Sequence, residues 1–252
     1  MADDDSRMAP PSRLLLALEA RALVSPARLL AAAPFLLSAP RGATQAVVVL
    51  PGLGASDRST VALRYYLRVL GYQPHGWNRG RNVRPAGADL PAVAAQVAAL
   101  NAATGTPVTL VGWSRGGLIA RQTARLVPEG VRMVVTLGSP FAALMATNVI
   151  GAKWRRLARD APWKGLAAPL PVPSTSIYSR ADGVVAWRAC IQPEGPECEN
   201  VEVRGSHLGL GFNPAALWVI ADRLAQPLGS WTPFQPGGLT AGLFPGPGRK
   251  AP

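Results

Sequence analysis

The sequence predicts an α/β fold, with a mostly parallel sheet and helices on both of its faces. Three observations carry that prediction. Short apolar, β-branched runs alternate with longer Ala- and Leu-rich stretches, the pattern of repeated strand–helix–strand units. The short runs are apolar throughout rather than at every second residue, as strands covered on both faces are. Pro-Gly, Gly-Ser-Pro and Gly-rich turns separate them. The chain has 252 residues, enough for a substantial core, and no internal repeat or second composition regime divides it.

The elements follow in order. Residues 46–50, Ala-Val-Val-Val-Leu, form a buried strand stopped by Pro51-Gly52. Ser56, Asp57 and Ser59 offer N-caps for a helix running to about Leu70. A second strand is expected over 72–77, then a loop rich in Gly, Arg, Asn and Pro, then an Ala/Val/Gln helix over about 91–103. Thr104-Gly105-Thr106-Pro107 breaks that helix. Strand 108–111, a turn at 112–117 and a helix at 118–126 come next, followed by strand 132–137. Residues 141–173 hold two tryptophans, several prolines and the basic cluster Lys153, Arg155, Arg156 and Arg159; they read as a helical insertion, a candidate lid. Strands at 175–178 and 201–203 precede a helix that starts at Asn213-Pro214 and reaches about Leu224. Three regions result: an N-terminal helical extension (1–44), the α/β domain (45–225) and a loosely packed Pro/Gly-rich tail (226–252).

One motif carries chemistry. Gly112-Trp113-Ser114-Arg115-Gly116 has the pattern Gly-x-Ser-x-Gly between a strand and a helix. A turn that tight strains the serine backbone and brings its flanking residues together. Gly112 and Gly116 remove the side chains that would clash, and Gly117 extends the tolerance. A serine hydroxyl is a weak nucleophile and needs an adjacent base. Of the two histidines, His75 precedes the motif, whereas His207 lies beyond the last strand in a Gly-rich loop, Gly205-Ser206-His207-Leu208-Gly209. His75 reads as a structural or rim residue. An acid that orients the imidazole belongs between Ser114 and His207 at a strand end. Asp182, in Ser179-Arg180-Ala181-Asp182-Gly183, fits; Asp160, Glu194, Glu197 and Glu199 compete, but none directly follows a strand. Two backbone N–H groups are expected to face the developing oxyanion: that of Arg115, after the serine, and that of Leu53, after the first strand. Trp113, Phe141, Leu144 and Met145 are candidate substrate-binding residues, though each could equally be core.

On these residues the chain resembles the α/β-hydrolase superfamily, in its bacterial lipase and esterase branch. The resemblance covers roughly residues 45–225 and rests on Gly112, Ser114 and Gly116, then Asp182, then His207, in that order. Pro51-Gly52-Leu53-Gly54 stands where many members carry His-Gly; the departure at Pro51 leaves backbone donors intact. The resemblance implies a single α/β-hydrolase domain and two-step acyl transfer on carboxylic esters, from short-chain esters to acylglycerols, with no metal or organic cofactor. The same triad serves acyltransferases, thioesterases and amidases. A catalytically silent lipid- or membrane-binding protein is a reading of another class, which three retained groups argue against.

Composition narrows the partners. The net charge is +12, but the basic residues are nearly all arginine and are scattered, with lysine only at Lys153, Lys164 and Lys250. No zinc-finger spacing or aromatic–basic module accompanies them, so no nucleic-acid partner is expected. The expected partner is a small-molecule or lipid ester; the basic surface reads as solvated and the apolar runs 14–18 and 29–37 as helices packed on the domain, with peripheral membrane contact through them as the alternative. Those runs are too short and too interrupted by Arg and Pro to cross a bilayer. The acidic Met-Ala-Asp-Asp-Asp start is unlike a secretory signal, which points to a cytoplasmic, membrane-associated location. Cys190 and Cys198 flank a Pro/Gly/Glu-rich loop, where a local disulfide and two free thiols are both open.

Overall fold

Three consecutive valines set the layering of the molecule. Side chains alternate along a strand, so Val47 and Val49 enter one core while Val48, with Ala46 and Leu50, enters the other. The computed structural model describes residues 8–148, 163 and 165–245. In it this first strand, β1 (Ala46–Leu50), joins β2 (Gln73–Gly76), β3 (Val108–Trp113), β4 (Val131–Leu137), β5 (Ser174–Tyr178) and β6 (Cys198–Glu202). They form one sheet in the order β2-β1-β3-β4-β5-β6, with every neighbouring pair parallel. The described helices are α1 (Arg13–Ala17), α2 (Ser25–Ala31), α3 (Ala33–Leu37), α4 (Val61–Val69), α5 (Ala86–Thr104), α6 (Arg115–Leu126) and α7 (Pro214–Ala225).

The helices cover both faces. Leu36 of α3, Leu63 and Leu67 of α4, and Leu217 and Ile220 of α7 pack with Val47, Val49, Val111 and Val135. Leu90, Val93 and Val97 of α5, with Leu118, Ile119 and Ala124 of α6, pack with Val48, Leu50, Leu110 and Val134 on the other side. Each such buried Val or Leu contributes about 1.5–3 kcal/mol relative to exposure. After β1 the chain runs outward to β2, then returns to β1's other side as β3. A sheet wound this way opens a crevice beyond the carboxyl ends of the strands where the direction reverses. Here that crevice lies past Leu50 and Trp113.

Several elements depart from expectation for local reasons. The α5 helix starts at Ala86, before Pro91 rather than at it: extended Pro85 caps it, and Pro91 sits near enough to the start to forfeit only one hydrogen bond. Strand β6 begins at Cys198 rather than 201 because it pairs with β5 from Ser174↔Cys198 to Tyr178↔Glu202, although Cys-Glu-Asn carries no hydrophobic signal. Asp57 does not cap a helix; its carboxylate accepts the Trp77 and Asn78 N–H groups at 2.9 and 3.1 Å and pins the end of β2. Among the described residues of the tail, Phe244 is buried in the core cluster that includes α7, and its ring lies 4.9 Å from that of Phe234, so this part is packed rather than loose. Cys190 and Cys198 are free thiols, and Cys198 donates to the Pro193 carbonyl. Residues 149–162 and 164, a part of the expected insertion that includes its whole basic cluster, lie outside the described residues. Among the described residues, no helix is long and apolar enough to cross a membrane.

A buried charge cluster joins α5 to α6. The Asp89 carboxylate has no exposed surface and faces Arg79 Nε at 2.9 Å, Arg84 Nη1 at 3.7 Å and Arg115 Nη1 at 3.9 Å. The Arg115 side chain also has none; it donates to the Arg84 carbonyl at 2.6 Å, and burial lowers its pKa to about 10. Removing one partner of such a cluster leaves the others uncompensated. Asp89→Ala is therefore expected to destabilise the protein by about 3–5 kcal/mol, measured as a fall in the urea midpoint at unchanged slope; a change below about 1 kcal/mol would contradict this account.

Candidate active site

The strand-to-helix turn after β3 has no room for side chains. A Cβ on Gly112 would lie 2.3 Å from the Gly117 Cα, and one on Gly116 would lie 2.3 Å from the Leu50 carbonyl oxygen. Gly112 thus lets the turn close on itself, whereas Gly116 lets α6 press against the end of β1. Ser114 between them has φ 53° and ψ −121°, a left-handed conformation rare for a non-glycine residue and costing about 1–3 kcal/mol. Its N–H donates to the Leu137 carbonyl at 2.7 Å, which bolts the strained turn to the end of β4.

Two further loops leave the same sheet edge. Asp182 sits in the turn after β5, and its carboxylate is shared. Oδ1 accepts the Val184 and Val185 N–H groups at 2.8 and 2.7 Å, while Oδ2 lies 2.6 Å from His207 Nδ1. His207 begins a 3-10 turn, His207–Phe212, and is itself buried. The Ser179 hydroxyl ties the two loops together, donating to the Gly205 carbonyl at 2.6 Å and accepting from the Ala181 and Gly205 N–H groups. With the Asp182 carboxylate at Nδ1, that nitrogen carries the imidazole proton and Nε2 is left as the acceptor. Burial acts to lower the His207 pKa, but the Asp182 charge and hydrogen bond, with the charge of Glu19, outweigh it and raise the imidazole above its ordinary value.

Ser114 and His207 face one cavity of about 420 Å³, a common size for a small-molecule site. Its walls are largely apolar and include Leu16, Leu53, Trp113, Val184, Val185 and Leu208. A second cavity of about 470 Å³ backs the loop that carries His207; it is lined by Arg21, Arg28 and Arg204 and reaches neither Ser114 nor His207. Chemistry rather than size therefore selects the first. Leu53 lies on its wall. The Arg115 N–H is the first of α6, a position without an intrahelical acceptor.

Of the four residues considered for substrate contact, Trp113 lines the cavity. The others do not. Phe141 is buried in the α5–α6 core under the Arg121 guanidinium, 4.1 Å from its ring centre; Leu144 packs against that same core, and Met145 is exposed. Their sequence position after β4 placed them near the site, but none of them is among the residues that line its cavity. Leu16, Val184, Val185 and Leu208 line it instead, and nothing local in the sequence marks Leu16. Trp113 also holds the base loop: its Nε1–H donates to the His207 carbonyl at 3.2 Å. Of the competing acids, Glu199 is engaged with Thr175 and Arg223, and Asp160 lies outside the described residues. His75 is on β2, paired in register with Val48 and away from the cavity lining. Among the described residues, no cluster of three or more His, Cys, Asp or Glu side chains could hold a metal ion.

Residues 33–176 match the family model for the alpha/beta hydrolase fold. Among solved structures, similarity extends to Aspergillus fumigatus lipase B, with 16% identity and a TM-score of 0.55, over 73% of this chain and 53% of that one. This chain thus spans about half the length of that lipase. Bacillus licheniformis lipase BlEst2 in its mature form is 17% identical with a TM-score of 0.55, over 75% of this chain and 95% of that one. A lipase-esterase related protein from Clostridium acetobutylicum is 15% identical with a TM-score of 0.54, over 73% and 97% respectively. At these identities the likeness is one of fold. No curated protein matches the chain.

The chain has only two histidines, so both imidazole titrations can be followed by NMR. His207 is expected to titrate above the ordinary imidazole value. His75, whose pKa is lowered by burial and by the charge of Arg68, is expected below it. Asp182→Asn should move the upper titration down and leave the lower one in place; coincident midpoints would contradict the site's electrostatics.

Proposed function

Because the chain belongs to the alpha/beta hydrolase family, we propose that it is a serine hydrolase of carboxylic esters, with Ser114 as nucleophile, His207 as general base and acid, and Asp182 as the group that orients His207. One observation carries this reading: a strained Ser114 and a His207 bonded to a buried carboxylate open onto the same cavity. Fold alone would not carry it, since one fold hosts many chemistries.

The steps follow from the groups. Ser114 Oγ attacks the ester carbonyl carbon as its proton passes to His207 Nε2, and the carbonyl electron pair moves onto oxygen. The N–H groups of Leu53 and Arg115 are the donors assigned to that oxyanion. Collapse of the tetrahedral centre breaks the bond to the alkoxide, which takes the proton from Nε2 and leaves as alcohol. Water then gives a proton to Nε2 and attacks the acyl carbon. The second collapse returns the proton to Ser114 Oγ and releases the acid. Asp182 stabilises the imidazolium in both halves.

The apolar walls at Leu16, Leu53, Trp113, Val184, Val185 and Leu208 support a hydrophobic acyl group. Exposed Leu14, Leu18 and Leu23, on the segment that supplies Leu16, support an ester presented at a lipid surface.

Hydrolysis of p-nitrophenyl esters from acetyl to palmitoyl, with Ser114→Ala and Asp182→Asn alongside, tests the reading. Wild-type turnover should depend on chain length. Each variant should lose about 10⁴-fold or more in kcat. Turnover that survives in Ser114→Ala would overturn Ser114 as the nucleophile. A wild-type protein that is labelled at Ser114 by a phosphonate but turns over no ester would favour acyl transfer to an acceptor other than water.

A further inference from the structure

Glu19 lies in a 3-10 turn of the N-terminal segment, Leu18–Val24, far in sequence from Ser114, Asp182 and His207, yet it is only 5% exposed. A carboxylate is costly to bury unless donors meet its oxygens. Three backbone N–H groups do so: Oε1 accepts from Gly183 and His207, both at 2.8 Å, and Oε2 accepts from Leu208 at 2.9 Å. Gly183 follows Asp182, and His207 and Leu208 begin the base loop. One carboxylate thus bridges the acid turn after β5 and the base loop after β6.

Both backbone polar groups of His207 are accordingly held. Its N–H goes to Glu19, and its carbonyl accepts from Trp113 Nε1 at the end of β3. The surrounding segment is seated closely. The Leu15 carbonyl oxygen would lie 2.1 Å from a Cβ on Gly183, so a side chain there would expel the segment. Arg21 donates to the Ala181 carbonyl, and Asn148 Nδ2 donates to both Pro11 and Gly183 carbonyls at 2.9 and 2.8 Å.

We propose that Glu19 is a positioning residue: its carboxylate clamps the Gly183, His207 and Leu208 N–H groups and sets the acid turn and base loop in the geometry that proton transfer at His207 requires. The inference rests on the triad reading above. The N-terminal segment then completes the site, supplying the clamp at Glu19 and a cavity wall at Leu16. Glu19 acts through His207 and Asp182 and touches no reacting atom. Its negative charge also joins that of Asp182 in favouring the imidazolium.

Two substitutions test this in the full-length protein. Glu19→Ala removes all three acceptors. Glu19→Gln keeps the volume but has one accepting oxygen, so at least one N–H faces an amide donor. A displacement of about 1 Å at a reacting centre costs on the order of 100-fold. On a soluble short-chain p-nitrophenyl ester, kcat is expected to fall about 100-fold in Glu19→Ala and about 10-fold in Glu19→Gln, with KM within about twofold. Added formate, a small carboxylate, should restore part of the Glu19→Ala activity. Thermal unfolding of each variant is recorded beside kcat, and kinetics are run on folded protein, because a purely structural residue moves the melting temperature but not kcat. If Glu19→Ala does not fold, Glu19→Gln decides. A kcat within about twofold of wild type in Glu19→Gln, or a change in KM alone, would overturn the proposal. Ser114→Ala separates the two claims: surviving turnover there overturns the triad and this clamp together, whereas its loss beside a wild-type kcat in Glu19→Gln overturns the clamp alone.

Discussion

The hydrogen bond between Asp182 and His207 is the contact around which the rest of the site is arranged. A carboxyl group can be buried at a sheet edge only if its oxygens are occupied, and here Val184 and Val185 take one while the imidazole takes the other. The cost of placing charge there is met by donors already fixed to the backbone. The same arrangement leaves one imidazole nitrogen free to accept a proton at a cavity shared with Ser114. Move either loop and that burial is lost, together with the proton transfer proposed for His207.

The sheet makes that contact repeatable. Three loops that carry the site leave the carboxyl ends of β3, β5 and β6, and a further one leaves β1. Parallel pairing holds those ends level, as in Trp113↔Leu137 and Tyr178↔Glu202. The strand-to-helix turn after β3 adds a fixed height, because Gly116 lets α6 reach the Leu50 carbonyl and Ser114 is tied to Leu137. Trp113 and Arg115, the two residues beside the serine, each serve twice. Trp113 is cavity wall and support for the base loop, while Arg115 opens α6 and sends its side chain back to the buried Asp89. Stability and site geometry therefore share residues at this turn.

The N-terminal segment changes the picture of where the site ends. Read as helices with exposed leucines, it looks like an appendage. Its polar atoms say otherwise, since Glu19, Arg21 and the Pro11 carbonyl all contact the acid turn, the base loop or their neighbours. An appendage would turn the Glu19 carboxylate to its own helix. This one spends it on backbone N–H groups more than 150 residues away in sequence.

What the sequence determined by itself was whatever depends on local pattern. Uniform apolar runs mean strands covered on both faces, and their alternation with helices means a parallel sheet; the six-stranded sheet follows from that. Gly112, Ser114 and Gly116 were legible because a turn that tight admits only such residues. Asp182 and His207 stood out by order and strand ends; in the fold Ser114 and His207 line one cavity, and Asp182 is hydrogen-bonded to His207. Tertiary structure alone decided the rest. Whether Phe141, Leu144 or Met145 faced the serine depended on the path of the chain after β4, which no local pattern encodes. Polar Cys198-Glu199-Asn200 became strand because β5 was there to pair with it. Asp89, Glu19 and the packed Phe234–Phe244 pair were hidden for the same physical reason: a charged or aromatic side chain shows its type in sequence, but its partner is chosen by distance in space.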